Sequence, residues 1–145
     1  MTEALPELAL NAIRDAGVTE LVKLPRKKIM FEGATKSGMS IIVLTPSSKR
    51  YGRGNGWVDF TSVQIELCEQ YDSAVAAFCI DDGDTHFVDM ARLLPRFTDS
   101  CQMENEREGI HWKLDIWDDR ISIRNGGGSI PTQKNSIAEI ENALN

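Results

Sequence analysis

The sequence predicts a mixed α/β (α+β) fold, in which a central mixed sheet is flanked by an N-terminal, a middle and a C-terminal helix. Two apolar segments, residues 40–45 and 74–80, have the length and composition of buried strands. A basic, glycine-rich loop at residues 49–57 and an amphipathic segment that begins near Thr61 lie between them. This order defines a βαβ unit, and open α/β sheets tend to bind ligands at the edge where such a loop lies. The loop is therefore the first candidate for a functional surface.

The first third of the chain predicts one helix and one hairpin. Apolar residues recur at helical spacing over residues 4–16, and Gly17 follows as a typical C-terminal stop. Residues 18–24 fit more than one structure and are followed by a proline. Residues 28–34 then have the pattern of a strand. A short turn joins them to the apolar strand, for which we predict the bounds 39–45. The helix should pack on the sheet that contains this hairpin.

The middle of the chain predicts the second helix and an antiparallel pair of strands. Residues 57–60 fit either a short strand or the entry to the helix. The side chains expected on the inner face of the helix are Val63, Leu67, Cys68 and Tyr71. The uncharged segment 74–80 is typical of a central strand covered on both faces. A tight turn at residues 81–84 should pair this strand antiparallel with residues 85–90, before a short helical turn at residues 91–97.

The last third predicts a second hairpin and a final helix. Residues 98–108 are polar and acidic without periodicity, which indicates a surface loop. Residues 110–117 and 120–124 alternate between apolar and polar side chains, as the two strands of a hairpin do. The glycine-rich residues 126–129 indicate a flexible connection, and residues 136–139 have the pattern of a capping box that opens the last helix.

The size and charge of the chain limit the classes of function. With 145 residues, 41% hydrophobic and 26% charged, the chain has the size and composition of one ordinary α/β domain, residues 1–145. The net charge of −6 hides an asymmetry, because residues 1–53 carry nine Lys and Arg against five Asp and Glu, whereas the rest carry seven against 17. The basic part can attract a local anionic partner despite the acidic total. The plain alternative is that these charges are ordinary solvated surface groups.

Several classes of site and location lack support in the sequence. No apolar run approaches the roughly 18 residues of a membrane span, and the N-terminus lacks the pattern of a signal peptide, so we expect a cytoplasmic protein without membrane contact. Cys68, Cys79 and Cys101 are odd in number and widely spaced, which favours reduced core thiols. His86 and His111 lie on alternating strands, where structural roles are expected. The sequence therefore predicts no metal and no cofactor, and it leaves the oligomeric state open.

The basic loop combines cations, aromatic rings and glycines. This composition suits contact with a phosphate backbone and stacking on a nucleic-acid base. The predicted contacts within the loop are Lys49, Arg50, Tyr51, Arg53 and Trp57. A supporting basic patch is predicted from Arg26, Lys27 and Lys28. A mobile connection without a ligand has a similar composition, and Trp57 in that case would belong to the core.

The acidic turns suggest a second class of function. Asp81, Asp82 and Asp84 form the densest acidic group, and they could bind a basic protein. The chain would then be an inhibitor, an immunity or anti-defence protein, or an assembly subunit. The plain alternative is that these acidic side chains bind no partner and only keep the protein soluble, which requires charged loops of this kind.

Residues 38–93 resemble the restriction-endonuclease-like fold, also called the PD-(D/E)XK nuclease fold. The resemblance is carried by the sequence Phe-Thr-Ser-Val-Gln at residues 60–64, by the apolar strand at residues 74–80 and by its partner, which contains His-Phe-Val-Asp at residues 86–89. In that family a strand that bears an acidic-x-Lys pair precedes such a helix and holds magnesium. The resemblance therefore implies an ancestral nuclease scaffold and a nucleic-acid context.

The strand that should carry the catalytic pair departs from the family pattern. Residues 41–45 contain no acid and no lysine, so this strand offers no ligand for magnesium. We therefore expect a degenerate fold that acts by binding nucleic acid, or a nucleic-acid-processing complex, rather than by catalysis. If the chain were an enzyme, it would be a magnesium-dependent endonuclease with a migrated site formed by Glu32, Lys36 and Asp59.

Overall fold

The structure, a computed structural model, describes residues 4–25 and 27–144. Arg26, one of the predicted contacts, lies outside the described residues. The helices are α1 Ala4–Ala16, α2 Ser62–Cys68 and α3 Ala138–Ala143. The strands are β1 Thr19–Lys23, β2 Met30–Ala34, β3 Ser40–Leu44, β4 Ser47–Ser48, β5 Gly56–Thr61, β6 Ser73–Ile80, β7 Thr85–Asp89, β8 Met103–Asn105, β9 Gly109–Ile116, β10 Arg120–Ile123 and β11 Gly128–Pro131. Short 3-10 turns occupy Met90–Arg92, Leu94–Arg96 and Asp99–Cys101. No helix of the described residues is both long and apolar enough to cross a membrane.

The first sheet is mixed and confirms the α+β prediction. Its strands lie in the order β1-β2-β3-β6, with β7 paired to β6, and the two-residue β4 pairs with the last residues of β6. The β2–β3 hairpin and the β6–β7 pair are antiparallel, as the sequence predicts. β3 and β6 are parallel, with Ile41 opposite Ser73 and Leu44 opposite Ala76. The chain between them leaves the carboxyl end of β3, and it contains the basic loop.

A second sheet of five antiparallel strands was not expected from the sequence, which predicted one central sheet. Its order is β11-β10-β9-β5, with β8 paired to β9. The predicted hairpin of residues 110–124 is present as β9 and β10 but belongs to this sheet. The ambiguous residues 57–60 form part of β5, which pairs with β9 along its whole length. Trp57 and Asp59 are half-exposed, whereas Val58 and Phe60 between them are buried, so alternate side chains face the core and the outside.

The first sheet is covered on both faces, which explains its uncharged strands. Ile41 and Val43 belong to a core cluster with residues of α1 and α3, whereas Ile42 and Leu44 belong to a larger cluster with residues of the second sheet. The successive side chains of a strand point to opposite faces, so one strand contributes to both clusters. The layers are therefore helices, mixed sheet and antiparallel sheet.

Aromatic rings join the two sheets. The Phe60 ring of β5 meets the Phe78 ring of β6 edge to face, with a centroid separation of 5.9 Å. Phe97 lies 6.0 Å from Phe60 and 5.5 Å from Trp112, also measured between ring centroids. Phe60 and Trp112 are direct cross-strand partners. These contacts fix β5, and with it the position of the residues that lie on the outer face of the second sheet.

The middle helix differs from the prediction in its partner and in one inward residue. α2 contacts β5 and β9, so it packs on the second sheet rather than on the mixed one. Leu67, Cys68 and Tyr71 pack against the core as predicted, but Val63 is 58% exposed and Ile65 takes the buried position. The capping box that opens the helix joins the Thr61 and Gln64 side chains to each other's backbone N–H. This cap fixes the start of a helix of only two turns, and so it fixes which side chains of the helix face the core.

Two predictions for the last third of the chain were wrong in detail. Part of the predicted loop 98–108 forms β8. The capping box predicted at residues 136–139 does not form, because the last helix begins at Ala138 and no side chain caps it at Ile137. The glycine-rich residues 126–129 make the turn into β11, in which Gly126 and Gly128 have positive φ values of 85° and 76°.

Candidate nucleic-acid interface

The basic loop of residues 49–57 is held in place by hydrogen bonds within itself and to the turn between β6 and β7. The backbone N–H of Tyr51 donates to the Asn55 carbonyl at 2.7 Å, and the N–H of Gly54 donates to the Tyr51 carbonyl at 2.9 Å. The Trp57 N–H donates to Ser48 Oγ at 2.9 Å. A Cβ on Gly56 would lie 2.6 Å from Ile80 Cδ1, so a glycine is required where β5 starts beside β6. The loop therefore has a defined conformation at the carboxyl end of the parallel strands.

Arg50 points to the β6–β7 turn and not to the outside of the loop. Its guanidinium forms ion pairs with Asp82 and with Asp84, the latter at 3.0 Å, and it donates to the Gly54 carbonyl at 3.0 Å. The backbone N–H of Arg50 donates to Asp81 at 3.3 Å. The hydrogen bond from Arg50 is the main cause of the lowered pKa of Asp82. Arg50 thus joins the basic loop to the acidic turn, for which the sequence predicts two different binding functions.

The acidic turn of residues 81–84 is largely neutralised within the chain. Besides Arg50, Lys134 lies 3.6 Å from Asp84 and 2.6 Å from Asp118 in ion pairs. The Asn135 side chain donates a further hydrogen bond to Asp84 at 3.1 Å. Two of the three aspartates that were candidates for binding a basic partner therefore already have cationic partners, and the third accepts a backbone hydrogen bond.

A groove of about 480 Å³ lies between the basic loop and the free edge of β5. Its lining includes Lys49, Tyr51, Trp57 and Asp59 from the loop and strand, and Ile29 from the segment before β2. Ile29 also lines a neighbouring pocket that contains two further predicted cations. These cations are Lys27 and Lys28. Lys27 and Lys28 therefore lie in a pocket that adjoins the groove.

The outer face of the second sheet adds cations that sequence reasoning missed. The Trp57 ring has Lys113 Nζ at 5.2 Å and the Arg124 guanidinium carbon at 5.7 Å from its centroid. Arg124 donates two hydrogen bonds to Asp115, at 2.9 and 2.8 Å. These bonds are the main cause of the lowered pKa of Asp115, to which the charge of Arg53 also contributes. Arg53 therefore lies close enough to this face to influence its charges.

Five cations of the groove, the neighbouring pocket, the loop and the second sheet form no ion pair within residues 4–25 and 27–144. They are Lys27, Lys28, Lys49, Arg53 and Lys113. Alternation in residues 110–117 places Lys113 on an outward face, but no pattern in the sequence indicates that β5 is its neighbour. The pairing of β5 with β9 brings Lys113 opposite Asp59 and beside Trp57.

The residues of the alternative catalytic site do not come together. Glu32 is in the first sheet, where its carboxylate accepts a hydrogen bond from the Tyr71 hydroxyl at 2.8 Å. Lys36 follows β2, and its Cε would be 3.7 Å from a Cβ added to Gly17 at the end of α1. Asp59 is on the outer face of the second sheet, beside Glu108 and His111. The three predicted catalytic residues therefore belong to three separate neighbourhoods.

His86 occupies a buried structural position. Its side chain is fully buried, Nδ1 hydrogen-bonds with Thr132 Oγ1 at 2.8 Å, and Nε2 has no hydrogen-bond partner among the described residues. Burial is the main cause of the lowered pKa of His86. The folded chain therefore resists protonation of this imidazole more than the unfolded chain does.

We expect the free energy of unfolding to fall as the pH decreases through about 6.5, the ordinary pKa of histidine. Below that pH the unfolded chain binds a proton that the folded chain excludes, and stability decreases until the lower, folded pKa is reached. Between pH 7.5 and 5.5 the loss is at most about 1.4 kcal/mol for one imidazole. Urea unfolding in EDTA at both pH values measures it.

The His86→Gln variant provides the control for this pH dependence. It should be less stable at both pH values but should lose most of the difference between them. The carboxyl groups of Asp82, Asp115 and Asp118, whose pKa values are lowered, titrate in a separate acidic range, below about pH 4. An unchanged pH difference in His86→Gln would contradict the prediction.

Comparison with protein-family models, with curated proteins and with solved structures finds no match to this chain. The function is therefore inferred from the geometry of the groove and of the outer face of the second sheet.

Proposed function

We propose that the chain is a non-catalytic module that binds single-stranded nucleic acid along the groove at the edge of β5. The observation that carries this proposal is a groove lined by Lys49, Tyr51 and Trp57, with Lys113 over the Trp57 ring and with Lys27 and Lys28 in the adjoining pocket. Proteins that bind single strands combine a basic groove with aromatic rings on which bases stack. The groove volume of about 480 Å³ lies in the range of ligand-binding pockets.

The aromatic side chains would contact bases, and the cations would contact phosphates. Tyr51 is 44% exposed, and the Trp57 ring is held by cations on its face. Lys49, Arg53 and Lys113 would supply the nearest phosphate contacts, and the patch of Arg26, Lys27 and Lys28 would extend the path. Arg50 would act indirectly, because it holds the loop against the β6–β7 turn.

The charge of the whole molecule suits a modest number of phosphate contacts. The net charge of −6 disfavours non-specific attraction at long range. Attraction must then come from the local cations, and it should be screened within about one Debye length. A short single strand fits such a surface better than a duplex, because a duplex brings more negative charge and hides its base faces.

The scaffold is proposed to be a degenerate restriction-endonuclease-like fold. The β2–β3 hairpin, followed by the parallel connection from β3 through α2 to β6, supports this proposal. β3 is buried on four of its five residues and carries neither acid nor lysine. A nuclease that uses Glu32, Lys36 and Asp59 has no support from their placement.

The alternative class, a binding protein for a basic partner, has weaker support. Asp82 and Asp84 already form ion pairs with Arg50 and Lys134. A basic partner would have to displace these internal pairs before it gained any of their charge. Neutralising these aspartates would also disturb the basic loop, so such a variant would not separate the two functions.

The test is fluorescence anisotropy with labelled single-stranded DNA and RNA of about 12 nucleotides. For three phosphate contacts on a single strand, the logarithm of the association constant should fall with the logarithm of salt concentration with a slope of about −2. A duplex of the same length should bind more weakly. The absence of binding to every probe at about 50 mM salt would end the nucleic-acid proposal.

A further inference from the structure

A cluster of three potential metal ligands lies on the outer face of the second sheet. One carboxylate oxygen of Asp59, one of Glu108 and one ring nitrogen of His111 are all within 4.8 Å of one another. Strand pairing explains this arrangement, because Asp59 is opposite Lys113 and Thr61 is opposite His111 in the β5–β9 register. Asp59 and His111 are thus diagonal neighbours on one face. Glu108 comes from the turn that joins β8 to β9.

His111 is oriented as a metal-binding histidine is. It is only 2% exposed, and its Nδ1 is 2.9 Å from the carbonyl oxygen of Gly109. A carbonyl accepts a hydrogen bond, so Nδ1 carries the proton and the neutral ring keeps its lone pair on Nε2. In the described part of the chain, Nε2 takes part in no hydrogen bond. In a metal-bound histidine, one ring nitrogen usually donates a hydrogen bond, and this bond leaves the other ring nitrogen as the metal ligand.

The two carboxyl groups form no direct ion pair. Neither Asp59 nor Glu108 forms an ion pair with any residue in 4–25 or 27–144. Burial, a hydrogen bond with Glu108 and the charge of Glu108 raise the pKa of Asp59, while His111 and Lys113 oppose that rise. Two acidic groups beside a buried imidazole therefore meet at a point where a cation would remove their repulsion.

We propose that Asp59, Glu108 and His111 bind one divalent first-row transition-metal ion, such as Zn²⁺ or Mn²⁺. The imidazole ligand favours these ions over Mg²⁺ and Ca²⁺, which prefer oxygen ligands alone. Three protein ligands leave at least one coordination position for water or another oxygen ligand. The site adjoins the groove of the proposed function, because Asp59 also lines the groove and Lys113 is the cross-strand partner of Asp59. Metal binding can nevertheless be tested without nucleic acid.

The test is isothermal titration of the metal-free chain with ZnCl₂ and with MnCl₂, together with thermal unfolding in the presence of each ion. We expect one ion per chain and a higher melting temperature with metal, because an ion that binds only the folded state stabilises it. Glu108→Gln should weaken binding by about tenfold or more, and Asp59→Asn by at least as much. The matched control is Glu106→Gln, which removes an exposed acid from the same turn and should leave affinity unchanged.

Folding and metal binding can be separated in these variants. Without metal, Glu108→Gln and Asp59→Asn should have a stability close to that of the wild type, because each substitution keeps the size of the side chain and its capacity for hydrogen bonds. Both should lose the stabilisation that metal gives to the wild type. The proposal is overturned if the wild type binds neither ion with a stoichiometry of one, or if Glu108→Gln and Glu106→Gln bind with equal affinity.

Discussion

Simultaneous replacement of Lys49, Arg53 and Lys113 by alanine is expected to weaken the binding of single-stranded nucleic acid on the order of a hundredfold at about 50 mM salt. Each phosphate contact on a single strand releases about 0.7 of a counterion, so three contacts are worth roughly 3–4 kcal/mol at this salt concentration. For the same reason, the slope of the logarithm of the association constant against the logarithm of salt concentration should become shallower by about 2. Anisotropy titrations of wild type and variant over a salt series measure both quantities.

The matched control for this variant removes three cations that lie elsewhere. Arg14 is on α1, Lys23 is on β1, and Lys36 follows β2. The ion pair of Arg14 with Glu7 is exposed, so its loss should cost less than about 1 kcal/mol of stability. The net charge changes equally in both triple variants. Equal loss of affinity in the two would show that total charge, rather than the groove, governs binding.

Arg50 is excluded from the triple variant because its loss would change the loop itself. Removal of its guanidinium would leave Asp82 without an ion pair among the described residues and Asp84 with Lys134 as its remaining one. A weaker affinity could then follow from a displaced loop rather than from a missing contact. The three chosen cations form no ion pairs in the described residues, so their replacement leaves no carboxylate without its partner.

Phe60→Ala is expected to lower the free energy of unfolding by about 4 kcal/mol. Phe60 is fully buried and meets the rings of Phe78 and Phe97, so its truncation leaves a cavity between the two sheets. Because domains of this size have total stabilities of about 5–15 kcal/mol, the variant should be close to its unfolding threshold. Urea unfolding followed by tryptophan fluorescence measures the loss.

Two further variants make the test of Phe60 informative even if the alanine variant fails to fold. Phe60→Leu keeps most of the volume and should cost less than about 1.5 kcal/mol. Val63→Ala removes an exposed side chain three residues away and should change stability by less than about 0.5 kcal/mol. A larger effect at Val63 than at Phe60 would contradict the arrangement of β5 and α2 described above.

The elements that could be predicted are those whose pattern has a local cause. The first helix is confirmed at Ala4–Ala16 because apolar spacing and a following glycine define it within one segment. The uncharged strand β6 was correctly placed at the centre, since a strand covered on both faces has no position for a charge. The start of the middle helix was placed near Thr61, and Thr61 provides its cap. The capping box predicted at residues 136–139 does not form, although its residues are also three apart.

The elements that could not be predicted depend on which strands become neighbours. The alternation of residues 110–117 indicates a strand but does not indicate which strand pairs with it. Pairing of this strand, β9, with β5 creates the second sheet. That pairing brings Lys113 to Trp57, and it brings His111 to Asp59 across 52 positions of sequence. Structural roles were predicted for both histidines because no serine or cysteine is placed beside either one in the sequence.

Patterns within single segments were sufficient to predict the α+β class, the β2–β3 hairpin and the parallel pairing of β3 with β6. The folded chain shows in addition that Arg50 is bound to Asp82 and Asp84, and that the edge of a second sheet lines the groove. Helices and turns form from interactions between residues a few positions apart, so a local pattern is enough to predict them. Whether a charged side chain is available for a ligand depends instead on partners at any distance along the chain, and these become neighbours only when the chain folds.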